Sequence, residues 1–226
     1  MVARSEQFDL ALREKCGWGG RREGAGRRRG AAPPVPHRRR EGMAARFPAH
    51  VTVRLRPGLP SLRTVALVRA LERSFGAARN RKDFRLVHYA LQNTHAHLLV
   101  EATDAHALGR GMKALGARIA RALNRTFRRH GPVFAERFHL HVLRSPREVR
   151  NALAYVLLNA RHHARRLANA LLIDPASSGR WFDGWRRQVA GGGRATTVTP
   201  VVPARTWLLR TGWRRHGLID PDEIPG

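Results

Sequence analysis

The order of elements predicted from the chain is that of an α+β protein. It is a ferredoxin-like, split βαβ antiparallel sheet with helices on one face, followed by an appended tyrosine-bearing helix. Three observations lead there. Four short segments read as strands, by alternation or by apolar runs. Two amphipathic segments separate them in the order β-α-β-β-α-β. A strongly capped helix follows the last strand.

The first strand is "AHVTVRLR", 49–56, where Val51, Val53 and Leu55 alternate with polar residues and Pro57-Gly58 ends the run. Ser61 is expected to cap a helix running to about Phe75, with Val65, Val68, Leu71 and Phe75 as its apolar stripe. "FRLVHYAL", 84–91, and "HAHLLVEA", 95–102, are the second and third strands, and the short link at 92–94 suits a hairpin. Thr103 and Asp104 offer caps for a long helix to about Arg129, striped by Leu108, Met112, Leu115, Ile119, Leu123 and Phe127. Its other side carries Arg110, Lys113, Arg118, Arg121, Arg125 and Arg128 without the acidic partners that i,i+4 pairing would want. That side, with Arg137 beyond it, is expected to face phosphate. "FAERFHLHVL", 134–143, is the fourth strand. In the next helix Ser145 is the N-cap, Pro146 occupies the first turn and Glu148 completes a capping box.

Outside this core the composition changes. Residues 1–46 are rich in Gly, Pro and Arg and read as a disordered basic arm; 47–165 hold the folded catalytic candidate; 166–226 form a C-terminal extension expected to pack through its tryptophans. Lys plus Arg number 43 against 16 Asp plus Glu, a net charge of +27, so a polyanionic partner is expected, with nucleic acid far ahead of a membrane surface. A single cysteine, Cys16, leaves no disulfide framework or cysteine zinc site within one chain. No run approaches the ~20 apolar residues of a membrane helix, and charges interrupt the N-terminus where a signal peptide would be apolar, so a cytoplasmic protein is expected.

His95 and His97 lie two apart on a strand and share a face, so both rings can address one ion. Alone this pair is a weak signal, because the chain has 12 histidines and a second such pair, His139 and His141. Glu101 is on the same face but some ~13 Å along the strand from His97, too far to share an ion. The capped helix is better placed. Beside its apolar stripe of Val149, Leu153, Val156 and Leu157 runs a second one, Asn151, Tyr155 and Asn159, continued by His163. From periodicity alone Tyr155 can equally be a ring buried beside a local hydroxyl bond.

"THAHLLV", then "ALNRTFRRHGPVFAERF", then "ALAYVLLNARHHA" resemble, in order and spacing, the REP-associated tyrosine transposases of the single-tyrosine HUH group. The resemblance covers about residues 48–165. It implies a metal-dependent single-stranded DNA endonuclease and strand transferase, with hairpins from palindromic repeats as substrate. His95, His97 and Asn159 would then hold Mg²⁺ or Mn²⁺, the latter preferred because carboxylates are absent. Tyr155 would form a 5′-phosphotyrosine in DNA transposition, and His139 and His141 would be structural or DNA-contacting. The protein would act as a monomer or homodimer. The alternative is a non-catalytic or domesticated DNA- or RNA-binding protein on the same fold. Against an RNA-binding sheet, "FRLVHYAL" lacks the aromatic-rich pattern such a surface uses.

Overall fold

The computed structural model describes residues 42–77, 81–163, 173–189 and 199–225, the stretch 160–163 by its backbone only. Residues 1–41 of the expected arm, the side chain of His163 and the glycines at 191–193 lie outside them.

Four strands form one sheet: β1 Ala49–Arg54, β2 Phe84–Leu91, β3 His95–Ala102 and β4 His139–Val142. Their order is β2-β3-β1-β4 and every pairing is antiparallel. Each β-α-β unit therefore has a strand inserted between its two ends, the split arrangement expected. The helices are α1 Val65–Gly76, α2 Ala105–Thr126 and α3 Pro146–His163.

Period-2 alternation divides the sheet into two faces. Val51 and Val53 of β1 lie opposite Leu98 and Ala96 of β3, and all four are buried with the apolar stripes of α1 and α2. The other face carries Leu99, Val87 and Ala90, which pack under Val149, Leu153, Val156 and Leu157 of α3 and under Phe182 and Trp213 of the C-terminal segment. So α1 and α2 share one layer, and α3 with the extension forms the other. A bulge at Val87 turns both Val87 and His88 toward this second layer.

Local chemistry explains the boundaries. The Asp104 side chain accepts from Ala107 N at 2.7 Å and starts α2. Ser145 Oγ accepts from Glu148 N at 3.2 Å, and the Glu148 carboxylate reaches back to Arg144 N at 2.7 Å, one residue before the reciprocal bond of a standard capping box. Helix α1 starts a turn later than expected. Ser61 Oγ is engaged by Arg63 N at 3.1 Å and donates to Asn93 at 2.9 Å, so it shapes a turn and leaves Thr64 as the helix cap. Val65 consequently sits in the first turn, 67% exposed, while Leu62 and Leu67 fill the core place expected for it. Strand β4 is shorter than expected: Phe134 makes one bridge to Leu55, and regular pairing resumes only at His139.

The extension is held through polar groups as well as tryptophans. The buried Glu101 carboxylate accepts from Arg205 N and Thr206 N at 2.8–3.0 Å. Ser178 Oγ accepts from Tyr89 N at 2.9 Å and donates to Tyr89 O at 3.2 Å. Among the described residues no helix is long and apolar enough to cross a membrane.

Candidate active site

The α3-covered face of the sheet gathers imidazoles. Register places Arg54 opposite His95, and Thr52 opposite both His97 and His139; His50 lies opposite Leu99 and His141. Five histidines from three adjacent strands thus project to one side. The two pairs that look alike in sequence differ in their surroundings. His97 is 4% exposed and His95 half-buried, whereas His139 and His141 are exposed on the edge strand. His139 Nε2 lies 3.1 Å from Glu136 Oε1.

Within the group, His95 Nε2 and His97 Nε2 are 3.0 Å apart. An N–H···N bond between neutral rings accounts for that distance, and so does a shared ion. Two donors each ~2.1 Å from an octahedral cation and at right angles lie ~3.0 Å apart, whereas tetrahedral angles would set them nearer ~3.4 Å. The far nitrogen of His97, Nδ1, lies 3.1 Å from both His50 Nε2 and Thr52 Oγ1. Burial, with His141 beside it, lowers the His50 pKa from 6.5 to about 4, so this ring is neutral at pH 7.

Helix α3 brings the tyrosine. The Tyr155 ring stands edge-on to His97, centroids 5.0 Å apart at 79°, and edge-on to His50 at 5.8 Å and 65°. It is partly exposed, unlike Tyr89, which is buried in the opposite layer against Phe75 and donates to Glu72 at 3.1 Å. Burial and the Glu72 carboxylate push the Tyr89 hydroxyl far above its ordinary pKa. Of the two tyrosines, then, Tyr155 alone shares the histidine face.

One turn beyond Tyr155 on the same side of α3 comes Asn159. It is fully buried, and neither its amide nitrogen nor its oxygen has a hydrogen-bond partner among the described residues. A buried unpaired amide is costly, and a water, an ion or a substrate group could satisfy its two polar atoms. Among the described residues no cluster of three His, Cys, Asp or Glu is arranged to hold a metal. A cation at His95 and His97 therefore needs a neutral oxygen donor, water or substrate to complete its shell. Two imidazoles joined by an amide oxygen would make a donor set suited to Mn²⁺ or Mg²⁺ with several waters retained.

The basic candidates separate into two groups. Lys113, Arg121, Arg125 and Arg128 are exposed, but α2 lies in the layer opposite the histidines. Arg110 is tied to Asp83 at 2.8 Å, and half-buried Arg118 donates to Ser74 O at 3.4 Å, so neither is a bare phosphate ligand. Arg137 belongs to the α2–β4 connection, which is bound to the end of β1 near His95 by Arg56 N to Val133 O at 2.9 Å and Ala135 N to Arg54 O at 3.1 Å. The exposed Arg54, opposite His95, was missed in the sequence reading, as were His50 and Thr52. The available signal was the polar half of β1, which would have mattered once β1 was taken as the neighbour of the His95 strand.

No protein-family model and no curated protein sequence matches this chain. Among solved structures, it is similar to a REP-associated tyrosine transposase bound to a REP hairpin. The identity is 16%, the TM-score 0.48, and the match covers 64% of this chain and 82% of that one.

Proposed function

We propose that the chain is a single-tyrosine, metal-dependent endonuclease and strand transferase for single-stranded DNA, of the transposase type its motifs resemble. The observation that carries this reading is the meeting of Tyr155 with His97 on the face where His95 and His97 converge, a turn away from the unpaired Asn159. The net charge of +27 suits a polyanionic substrate, and hairpin DNA is the form the motif resemblance implies.

In this reading His95, His97 and Asn159 hold Mg²⁺ or Mn²⁺, which when bound supplies Lewis-acid polarisation of the scissile phosphate. Tyr155 Oη loses its proton to solvent and attacks phosphorus. The P–O bond to the 3′ oxygen breaks, that oxygen leaves as a 3′-hydroxyl after taking a proton, and a 5′-phosphotyrosine remains. In strand transfer an incoming 3′-hydroxyl attacks the same phosphorus and the tyrosine oxygen departs. Bond count is conserved, so no nucleotide triphosphate is needed. Against an open aromatic platform for RNA, α3 packs on part of this face and Tyr89 is buried on the other side.

Labelled single-stranded hairpins incubated with the protein and Mn²⁺ test this directly on a denaturing gel. A covalent adduct is expected with wild type, none with Tyr155→Phe, and little with His97→Ala or after EDTA. An adduct that survives Tyr155→Phe would sink the assignment. Binding without any adduct would favour a non-catalytic binding protein.

A further inference from the structure

His97 has two ring nitrogens with different neighbours. Nε2 faces His95, and Nδ1 lies 3.1 Å from His50 Nε2 and 3.1 Å from Thr52 Oγ1. A neutral imidazole carries one N–H and one lone pair. If Nε2 is given to a cation, the proton must sit on Nδ1, where it needs an acceptor that fixes the ring. Two are within reach. The Thr52 hydroxyl can accept, but it has no ring surface to hold the plane of His97. His50 has both: its rings and those of His97 are 5.2 Å apart and tilted by 38°, and the same ring meets Tyr155 edge-on. Register explains the reach. His50 lies opposite Leu99, two residues from His97 on β3, so its ring crosses the strand pair diagonally. Because His50 addresses the far nitrogen of His97, it stands behind the pair and is not a third ligand.

We propose that His50 is the positioning residue of the metal pair: its Nε2 accepts the Nδ1 proton of His97 and aims His97 Nε2 at the ion shared with His95. This rests on the metal-dependent reading above. It requires the His50 proton to lie on its own Nδ1, so the orientation of one ligand is set by the tautomer of a ring on the neighbouring strand.

The test is Mn²⁺ affinity of the full chain, measured by electron paramagnetic resonance without DNA, with urea midpoints as a folding check. His50→Phe keeps the ring and removes the nitrogen, and is expected to weaken binding ~10-fold or more, within the range seen when such outer partners are lost. His50→Asn, too short to reach His97, provides a second loss variant should the Phe variant fail to fold. His50→Gln restores an acceptor at similar reach and should bind more tightly than either loss variant. Thr52→Val should change affinity less than either loss variant. In ¹⁵N spectra of the Mg²⁺-loaded protein, His97 should be protonated at Nδ1. Wild-type affinity in both His50→Phe and His50→Asn would overturn the proposal, as would a full loss in Thr52→Val. His95→Ala separates the two levels. If that variant binds Mn²⁺ as wild type does, the metal reading itself fails, and the role of His50 falls with it.

Discussion

Asn159 shows what an unpaired buried amide costs the fold. A fully buried amide with two unmatched polar atoms loses its hydration and receives nothing in return among the described residues. Asn159→Leu keeps the branching and heavy-atom count of the side chain and removes both orphaned atoms. It should raise the unfolding free energy of the metal-free protein by about 1–3 kcal/mol and abolish the contribution of this position to Mn²⁺ binding. Urea unfolding and Mn²⁺ titration of one variant read both effects. If the substitution destabilises the protein, the amide has a structural role and is not a waiting ligand. At this scale the chain was partly legible. The spacing of Tyr155 and Asn159 put them on one helix face, and His95 with His97 on one strand face. The placing of His50 and Thr52 against His97 was not legible, because it depends on which strand lies beside β3, a fact of topology that no local pattern carries.

At the scale of elements, most boundaries followed from caps, turns and periodicity, and the misses have physical causes. Ser61 had the right chemistry for a cap but spent its hydroxyl on a turn and on Asn93, which delayed α1. The apolar alternation of 134–143 looked like one strand, yet Phe134 turns to pack with Leu55 and the α1–α2 core instead of continuing the ladder. The docking of α2 on β2 depends on a glycine. Gly111 is buried, and a Cβ there would press into the Phe84 ring well inside van der Waals contact. Helix propensity alone says that Gly111→Ala gains about 1 kcal/mol. The ring forbids it: overpacking of this kind costs typically about 1–3 kcal/mol, and Phe84 is only 6% exposed, with little room to withdraw. Gly111→Ala should therefore lower the urea midpoint, whereas Gly109→Ala, which meets nothing within 4 Å, should raise it. An increase in both would mean that α2 does not sit this close to the sheet.

At the scale of the whole molecule, the two layers divide the work: α1 and α2 stabilise one face of the sheet, and α3 brings Tyr155 to the other. The extension completes that second layer, and the seam between them passes through His88. This ring is buried beside Ser178 Oγ at 3.1 Å and stands edge-on to Phe182 at 5.3 Å. With the Ser178 proton on Tyr89 O, Ser178 Oγ accepts from His88 Nδ1. Burial lowers its pKa from 6.5 to about 4, with Asp183 opposing the shift only in part. The sign of the pH dependence follows. Above pH 6.5 neither state binds the proton and the contribution to stability is fully present. As pH falls from there to about 4, the unfolded chain takes a proton that the folded one refuses, and stability drops. The loss attributable to His88 is roughly 3 kcal/mol. His88→Gln keeps a donor for Ser178 but cannot titrate. Between about pH 7.5 and about pH 4.5, wild type should therefore lose more unfolding free energy than His88→Gln, by most of that amount, when both are followed by urea denaturation. Parallel losses would show that the seam does not close around a neutral imidazole. A steeper loss in wild type, accompanied by early exposure of the Trp213 fluorophore, would show that acid opens the molecule first where the extension meets the sheet.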